Sequence, residues 1–502
     1  MNPPPADNPT APAATFAPPS VTPAATSATP AAPPAAPPLP RRMKWEVFLS
    51  ITLGYSFFYV CRLSLSVAKK PMLDSGAFDA GQLGLIGSAL FFTYAVGKLV
   101  NGILADRVNV KRFMIAGLFV CSLANLILGF GATFWLFFVL WGLQGWFQST
   151  GAPSSVVSLA HWFTPRERGT YYSLWSTSHN IGEAVTFIAT AVVVGAFGWQ
   201  WGFRVAGAAG LVMCALLAIF MHDRPGSTGS RNTGIPPMSP SGSRNTGIPP
   251  ASLPNHGQAA HVTHPALPPP ASPAHPAPPT PPARPAAPTI ASMQWAVFKN
   301  PAIWCLALAS ALMYVTRYAV NSWGIFYLQA AKNYTAVNAS SIVALGAIFG
   351  IAGTVASGFV SDLVFRGQRG APAFLCALVL VAGLALFLFT PASPVTDGIA
   401  IALWGFAIGG LLVFLGGLMA GDLAGKQAAG TALGLVGIAS YLGAALQDII
   451  SGRFIESGRT IAADGAATYD FHHVRWLWLG AAILCALTTA TVWFSSRKKQ
   501  NT

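Results

Sequence analysis

Two arginines sit where hydrocarbon ought to exclude them. The first closes Tyr59-Val60-Cys61-Arg62 inside an apolar run from about Trp45 to Ala68; the second closes Tyr314-Val315-Thr316-Arg317 inside another run, 255 residues later. A bare guanidinium in hydrocarbon costs several kcal/mol, so each must reach water or hold a negative partner. A second landmark keeps step: Gly102 to Asp106 in one half matches Gly358 to Asp362 in the other, 256 residues on. Equivalent arginines in a duplicated chain suggest one shared anion site. A phosphate suits it best, because the planar fork of arginine gives a tetrahedral oxyanion two charge-assisted hydrogen bonds. The alternative for Arg62, near the end of its apolar run, is to snorkel to an interface; Arg317, near the middle of its own, has less opportunity.

Other titratable groups fall close to these arginines in the pattern. Lys98, in Tyr94-Ala95-Val96-Gly97-Lys98, either adds positive potential to the same cavity or snorkels to the nearer end, about two turns away. His179 and Glu183 are four residues apart and share one helix face. Beside an arginine or His179 the carboxylate stays ionised and can act as a salt-bridge switch; beside neither it takes up a proton and can carry it. Asp106 and Arg107, with Lys111 and Arg112 following, place a carboxylate among basic groups at a helix end, and Asp362 echoes it in the second half. That pattern is either topology marking or a charge-paired latch. Asp448, near the end of the eleventh run, has no assignable role.

These side chains need long apolar elements to position them, and the composition provides them. Of 502 residues, 53% are hydrophobic and only 9% charged, against about 25% charged in soluble domains. The pattern is that of an all-α polytopic membrane protein, with spans expected at about 45 to 68, 81 to 105, 112 to 131, 133 to 160, 169 to 196, 200 to 221, 302 to 330, 339 to 364, 371 to 391, 394 to 421, 428 to 453 and 472 to 495. These make 12 transmembrane helices in two pseudo-symmetric six-helix bundles, 44–221 and 296–496. A Pro/Ala-rich disordered tail (1–43), a Pro-rich linker (222–295) and a short tail (497–502) complete the chain, all three expected on the cytoplasmic side. With both termini inside, 19 of the 29 basic residues collect in cytoplasmic segments, while Lys69 and Lys70 fall in an outer one. The net charge of +14 is therefore a topology signal and not a nucleic-acid face. The six cysteines lie in different spans without paired spacing, as packed thiols and not as disulfides or a zinc site. No cleavable signal peptide is expected, since the first apolar run is too long and no small-residue cleavage site follows it. Four linker histidines, His256, His261, His264 and His275, are irregularly spaced and read as solvated coil.

Four stretches carry a family likeness: GYSFFYVCR at 54 to 62, GWFQSTGAPSSVVSLAHWFTPRERG at 145 to 169, WSTSHNIG at 175 to 182 and YVTRYAVNSW at 314 to 323. The chain resembles the major facilitator superfamily, and within it the organophosphate:phosphate antiporter family of glycerol-3-phosphate and hexose-phosphate transporters and a related hexose-phosphate sensor. The resemblance implies the major facilitator fold and a substrate site in which Arg62 and Arg317 clamp a phosphoryl group. Lys98 and His179 would line the cavity, with Tyr55, Tyr59 and Tyr314 shaping it. It also implies alternating access about a midplane site, exchanging an organic phosphate for inorganic phosphate. Two unneutralised arginines would repel across the empty cavity, so closing around nothing would be disfavoured and exchange favoured. Coupling and gating would fall to Glu183, Asp106, Arg107 and Asp362.

The sequence also departs from that family. Its members carry a glutamate in helix eight near the stretch that here reads Gly346-Ala347-Ile348-Phe349-Gly350, and here Glu183 stands in helix five instead, as if moved across the interface between the two helices. The acid and lysine of the hexose-phosphate transporter's helix eleven are also missing from Ala432 to Gly437. Two rivals stay open: a transport-like sensor signalling to a membrane kinase partner, and a proton-coupled carrier of another anion or a drug. No enzyme, cofactor or nucleic-acid role is expected; the partners are a phosphorylated small molecule, inorganic phosphate and the lipid of the inner (plasma) membrane.

Overall fold

Backbone N–H and C=O groups in hydrocarbon must bond within their own segment, so apolar runs of this length fold as helices. The computed structural model describes residues 40–225, 290–366, 368–424, 428–463 and 467–500. Most of the expected N-terminal tail and linker, with the four linker histidines, lies outside the described residues.

The first half holds α1 (Arg41–Asp74), α2 (Ala80–Ala105), α3 (Val110–Leu128), α4 (Phe134–Gln148), α5 (Gly151–Trp162), α6 (Pro165–Ser176), α7 (Ser178–Phe197) and α8 (Trp199–Phe220). The second holds α9 (Ile290–Lys299), α10 (Pro301–Tyr318), α11 (Ile325–Lys332), α12 (Ala336–Phe359), α13 (Gly370–Phe389), α14 (Pro394–Val413), α15 (Met419–Ala424), α16 (Ala429–Ser457) and α17 (His472–Gln500). Among the described residues, 11 helical stretches are long and apolar enough to cross a membrane, one of them running from α6 through Thr177 into α7. The remaining expected span, 133 to 160, is the broken pair α4 and α5. Pro153 explains the break, having no N–H for the Ser149 carbonyl and a ring that crowds it.

The two halves repeat one packing plan. In the first, α1 packs on α7 and α8, α2 on α4, and α3 on α8; in the second, α10 packs on α16 and α17, α12 on α14, and α13 on α17. Across the halves, α2 meets α16 and α7 meets α12, the two contacts that a pseudo-two-fold axis would exchange. Small residues allow the closest approaches: a Cβ on Gly405 would lie 2.1 Å from the Gly346 carbonyl oxygen, and one on Gly409 2.2 Å from that of Gly350.

Two departures from expectation matter for the site. Helix α1 runs on to Asp74, so Lys69, expected in an outer segment, is instead inside the helix and 0% exposed. Arg62 is correspondingly twelve residues from the helix end, and snorkelling in that direction is closed to it. The α10 helix continues through a π-helical turn, Ala319–Gly324, into α11. Such turns shift the register of the side chains that follow and are frequent at functional sites. A short hairpin, β1 (Arg459–Ile461) paired antiparallel with β2 (Ala467–Tyr469), also joins α16 to α17, a minor exception to an all-helical chain.

Candidate functional site

Aromatic side chains from both halves build the chamber between them. A cavity of about 450 Å³ is lined by Tyr55 and Tyr59 of α1, Tyr94 and Lys98 of α2, His179 of α7, Tyr314 and Arg317 of α10, and Tyr441 of α16. Lys98 also borders a second space of about 500 Å³, which continues past Gly102, Asp106, Gly430 and Gly434 toward the Asp106 end of the bundle. Every residue expected to line the site except Arg62 borders the first cavity.

Arg62 lies behind this lining. Its guanidinium carbon is 5.7 Å from the Tyr59 ring centre, 5.2 Å from Tyr94, 5.8 Å from Tyr441, 5.0 Å from Phe91 and 5.1 Å from Tyr318. It is 4% exposed and donates a hydrogen bond of 2.7 Å to the Tyr318 hydroxyl, while its Nε is buried without a partner. No ion pair among the described residues reaches it. The ring faces supply a diffuse negative potential that partly compensates the charge.

Arg317 is placed differently. Its Nη2 donates to Glu183 Oε1 at 2.7 Å, and both side chains are about 5% exposed. Asn321, one turn further on, donates to the same oxygen at 3.2 Å. Gly182 makes this reach possible: a Cβ there would stand 2.5 Å from the Ser56 carbonyl oxygen, so its absence lets α7 close on α1 and carry Glu183 to the interface. The expectation of two unneutralised arginines is therefore corrected, since Arg317 already holds a carboxylate. The two guanidinium groups still share one neighbour, Tyr318, 5.1 Å from Arg62 and 5.7 Å from Arg317.

The other expected residues are placed as follows. The His179 ring lies tilted against Tyr59, with ring centres 5.8 Å apart, and its Nε2 is buried without a partner. Lys98 is exposed to the cavity and lies 5.5 Å from the Tyr441 ring centre. Asp106, Arg107 and Asp362 are exposed away from the chamber, and no ion pair joins these three among the described residues; Arg224 donates to the Asp106 carbonyl oxygen at 3.5 Å.

Sequence reasoning missed Tyr94, Tyr318, Asn321 and Tyr441. A helical signal was available for two of them: Tyr94 is four residues before Lys98, and Tyr441 is seven before Asp448, each pair on one face. A tyrosine in an apolar run is ordinarily packing, so only the three-dimensional convergence singles them out.

The Major Facilitator Superfamily model matches residues 51–447. The chain belongs to that superfamily. It is a multi-pass membrane transporter and not an enzyme. It is 33% identical over 402 residues to a probable hexose phosphate transport protein of Chlamydia muridarum, covering 80% of this chain and 82% of that one. It is 31% identical to the membrane sensor protein UhpC of Escherichia coli (strain K12), over 80% of this chain and 83% of the other, and 29% identical to a glycerol-3-phosphate transporter of Bacillus subtilis (strain 168), over 80% and 84%. Among solved structures, a bacterial homologue of the human lysosomal transporter Spinster, inward-facing and unoccupied, superposes with a TM-score of 0.67 at 14% identity, covering 91% of this chain and 98% of that one. At that identity the likeness concerns the fold.

Proposed function

We propose that this major facilitator carrier moves a phosphorylated small molecule, a sugar phosphate or glycerol phosphate, in exchange for inorganic phosphate. The basic, Asp106 end would face the cytoplasm of a cell with this protein in its inner membrane. The observation that carries the reading is Arg62: a buried guanidinium with an unused Nε donor, no ion-pair partner among the described residues, and a tyrosine lining between it and the chamber. A phosphoryl group entering past Tyr59, Tyr94 and Tyr441 would supply the missing charge and acceptors. Arg317 would join only by releasing Glu183, so the anion replaces an internal carboxylate instead of filling a bare cation pair. That substitution makes the empty and loaded sites comparable in energy, a condition for a carrier that must let its substrate go. The names of the relatives and the cavity volume, within the range of small-molecule sites, agree with this reading.

The deciding experiment is counterflow in proteoliposomes loaded with labelled inorganic phosphate. External glucose 6-phosphate or glycerol 3-phosphate should accelerate loss of label, whereas chloride or unphosphorylated sugar should not. Loss of label independent of any external phosphate ester would overturn exchange. The similarity to UhpC supports a second reading, a sensor built on the same site; binding of a phosphate ester without counterflow would favour it.

A further inference from the structure

Three side-chain amides of the first half are buried against the backbone of α1. Asn125 of α3 and Gln144 of α4 are 0% exposed, and Gln148, one turn further along α4, is 2% exposed. Gln148 Nε2 donates to the Phe58 carbonyl oxygen at 3.0 Å. Gln144 Nε2 and Asn125 Nδ2 both donate to the Cys61 carbonyl oxygen, at 3.0 and 3.1 Å. Asn125 Nδ2 also bonds Gln144 Oε1 at 2.6 Å, and Ser64 Oγ of α1 donates to Asn125 Oδ1 at 3.1 Å, which closes the network on itself.

These are the two carbonyls that define where Arg62 stands. The Cys61 carbonyl shares a peptide unit with the Arg62 nitrogen, and the Phe58 carbonyl is the helical acceptor of the Arg62 N–H. A buried amide left without its partner costs about 1–3 kcal/mol, so the network admits one rotational setting of α1. Turning α1 by a single residue, about 100°, would carry both carbonyls away from α3 and α4. The same turn would take Arg62 out of the rings of Tyr59, Phe91, Tyr94, Tyr318 and Tyr441. Helix α4 is itself fixed to α2: Thr93 Oγ1 donates to the Gly142 carbonyl oxygen at 2.6 Å, and a Cβ on Gly145 would lie 2.2 Å from that of Leu90. The second half is built otherwise. By the shared packing plan α13 and α14 correspond to α3 and α4, yet they contain no asparagine or glutamine, and α10 enters its π-helical turn just after Arg317.

We propose that Gln144, Gln148 and Asn125 are positioning residues for the anion site, fixing the rotation of α1 and with it the place of the Arg62 guanidinium. This rests on the reading that a phosphate meets Arg62. None of the three borders the chamber, so each acts on the anion through α1. Arg62 has one hydroxyl partner and otherwise only ring faces to hold it, contacts too weakly directional to set a bidentate grip by themselves. The amides set it from behind, through the backbone. An anion arriving at a guanidinium already in place loses no affinity to ordering it. Arg317 needs no such clamp, since Glu183 and Asn321 orient its surroundings directly.

The test is a double-mutant cycle on the full-length protein in nanodiscs, read by binding of labelled inorganic phosphate. Gln148→Met keeps the length of the side chain and removes its donor; it should weaken phosphate binding about fivefold, the worth of roughly one hydrogen bond. Gln144→Met should weaken it by a similar factor. In an Arg62→Lys background the Gln148→Met factor should shrink to less than about twofold, because an ammonium has no bidentate geometry left to misplace. In a Lys98→Gln background it should persist in full. In counterflow, Gln148→Met should raise the half-saturating phosphate concentration by the same factor and leave the maximal rate nearly unchanged. Should Gln144→Met fold poorly, Gln148→Met decides alone, since Gln144 and Asn125 still hold the Cys61 carbonyl in it. A Gln148→Met factor that is equal in the Arg62→Lys and Lys98→Gln backgrounds, or wild-type affinity in Gln148→Met, would overturn positioning and leave the amides as packing. Phosphate binding unchanged by Arg62→Lys alone would instead remove the reading on which this rests, so the two failures are told apart.

Discussion

Arg62 and Arg317 occupy equivalent places in the two halves, yet among the described residues only Arg317 has a carboxylate of its own. Arg317 bonds Glu183 across the interface and borders the chamber; Arg62 lies behind Tyr59, Tyr94 and Tyr441, with one tyrosine hydroxyl and a set of ring faces. A duplicated motif thus gives two different devices. One is a cation awaiting an anion, and the other a cation that must exchange one anion for another. The difference arises because Glu183 of α7 meets Arg317, whereas Asp448, the buried acid of the counterpart helix α16, pairs with Lys69 and not with Arg62; the π-helical turn after Arg317 and the absence of a side chain at Gly182 bring the first acid to its arginine.

The largest expected effect sharpens the asymmetry. Arg62→Lys should reduce phosphate-ester uptake into proteoliposomes roughly a hundredfold, because an ammonium cannot reproduce a bidentate grip and each charge-assisted hydrogen bond is worth about 1.5–3 kcal/mol. Uptake within about threefold of wild type would show that Arg62 acts only as a point charge. Next in size is Glu183→Gln, which leaves Arg317 buried without its partner; breaking one side of such a pair costs about 3–5 kcal/mol. The melting temperature should fall, and saturating phosphate should restore most of it, while exchange slows because the anion is released less readily. No recovery with phosphate would mean that Arg317 does not meet the substrate.

A smaller effect is expected from moving the acid. Ala347, buried on α12 beside α7, is a position from which a glutamate could face the same interface, so Ala347→Glu added to Glu183→Gln should recover a measurable part of the lost exchange. A double variant no better than Glu183→Gln would show that the carboxylate works from α7 alone. Least affected should be Lys98→Gln. Lys98 is exposed to the cavity and makes no ion pair among the described residues, so the half-saturating substrate concentration should rise only a few-fold, with the maximal rate nearly unchanged. An effect approaching that of Arg62→Lys would move the centre of the site toward α2.

Helices and their order were legible because hydrocarbon leaves the backbone few options, and run length alone set most boundaries to within a few residues. Where the run was long, composition misled: α1 extends through Lys69 and Lys70 to Asp74, because a buried carboxylate on another helix receives one lysine and Asp74 itself pairs with the other at 2.7 Å. The break at Ser149–Thr150 was readable from Pro153 but not from hydropathy. Of the candidate site, Arg62, Arg317, Lys98 and His179 were visible as polar groups in apolar surroundings, while Tyr55, Tyr59 and Tyr314 entered only through the family resemblance. Tyr94, Tyr318 and Tyr441 were not, since a tyrosine is at ease in a packed core and acquires significance here only by facing an arginine from a distant helix.

The amino-acid order by itself determined that this chain is a duplicated helical membrane protein, because apolar length and recurring motifs act locally and need no partner to be read. It also determined which charged groups had to find company inside. Tertiary structure alone decided who that company is: Glu183 for Arg317, Asp448 for Lys69, and rings for Arg62. Electrostatic pairing over 134 or 379 residues of chain depends on which helix faces meet, and that is fixed by packing at glycines and by a π-helical turn, neither of which periodicity reveals.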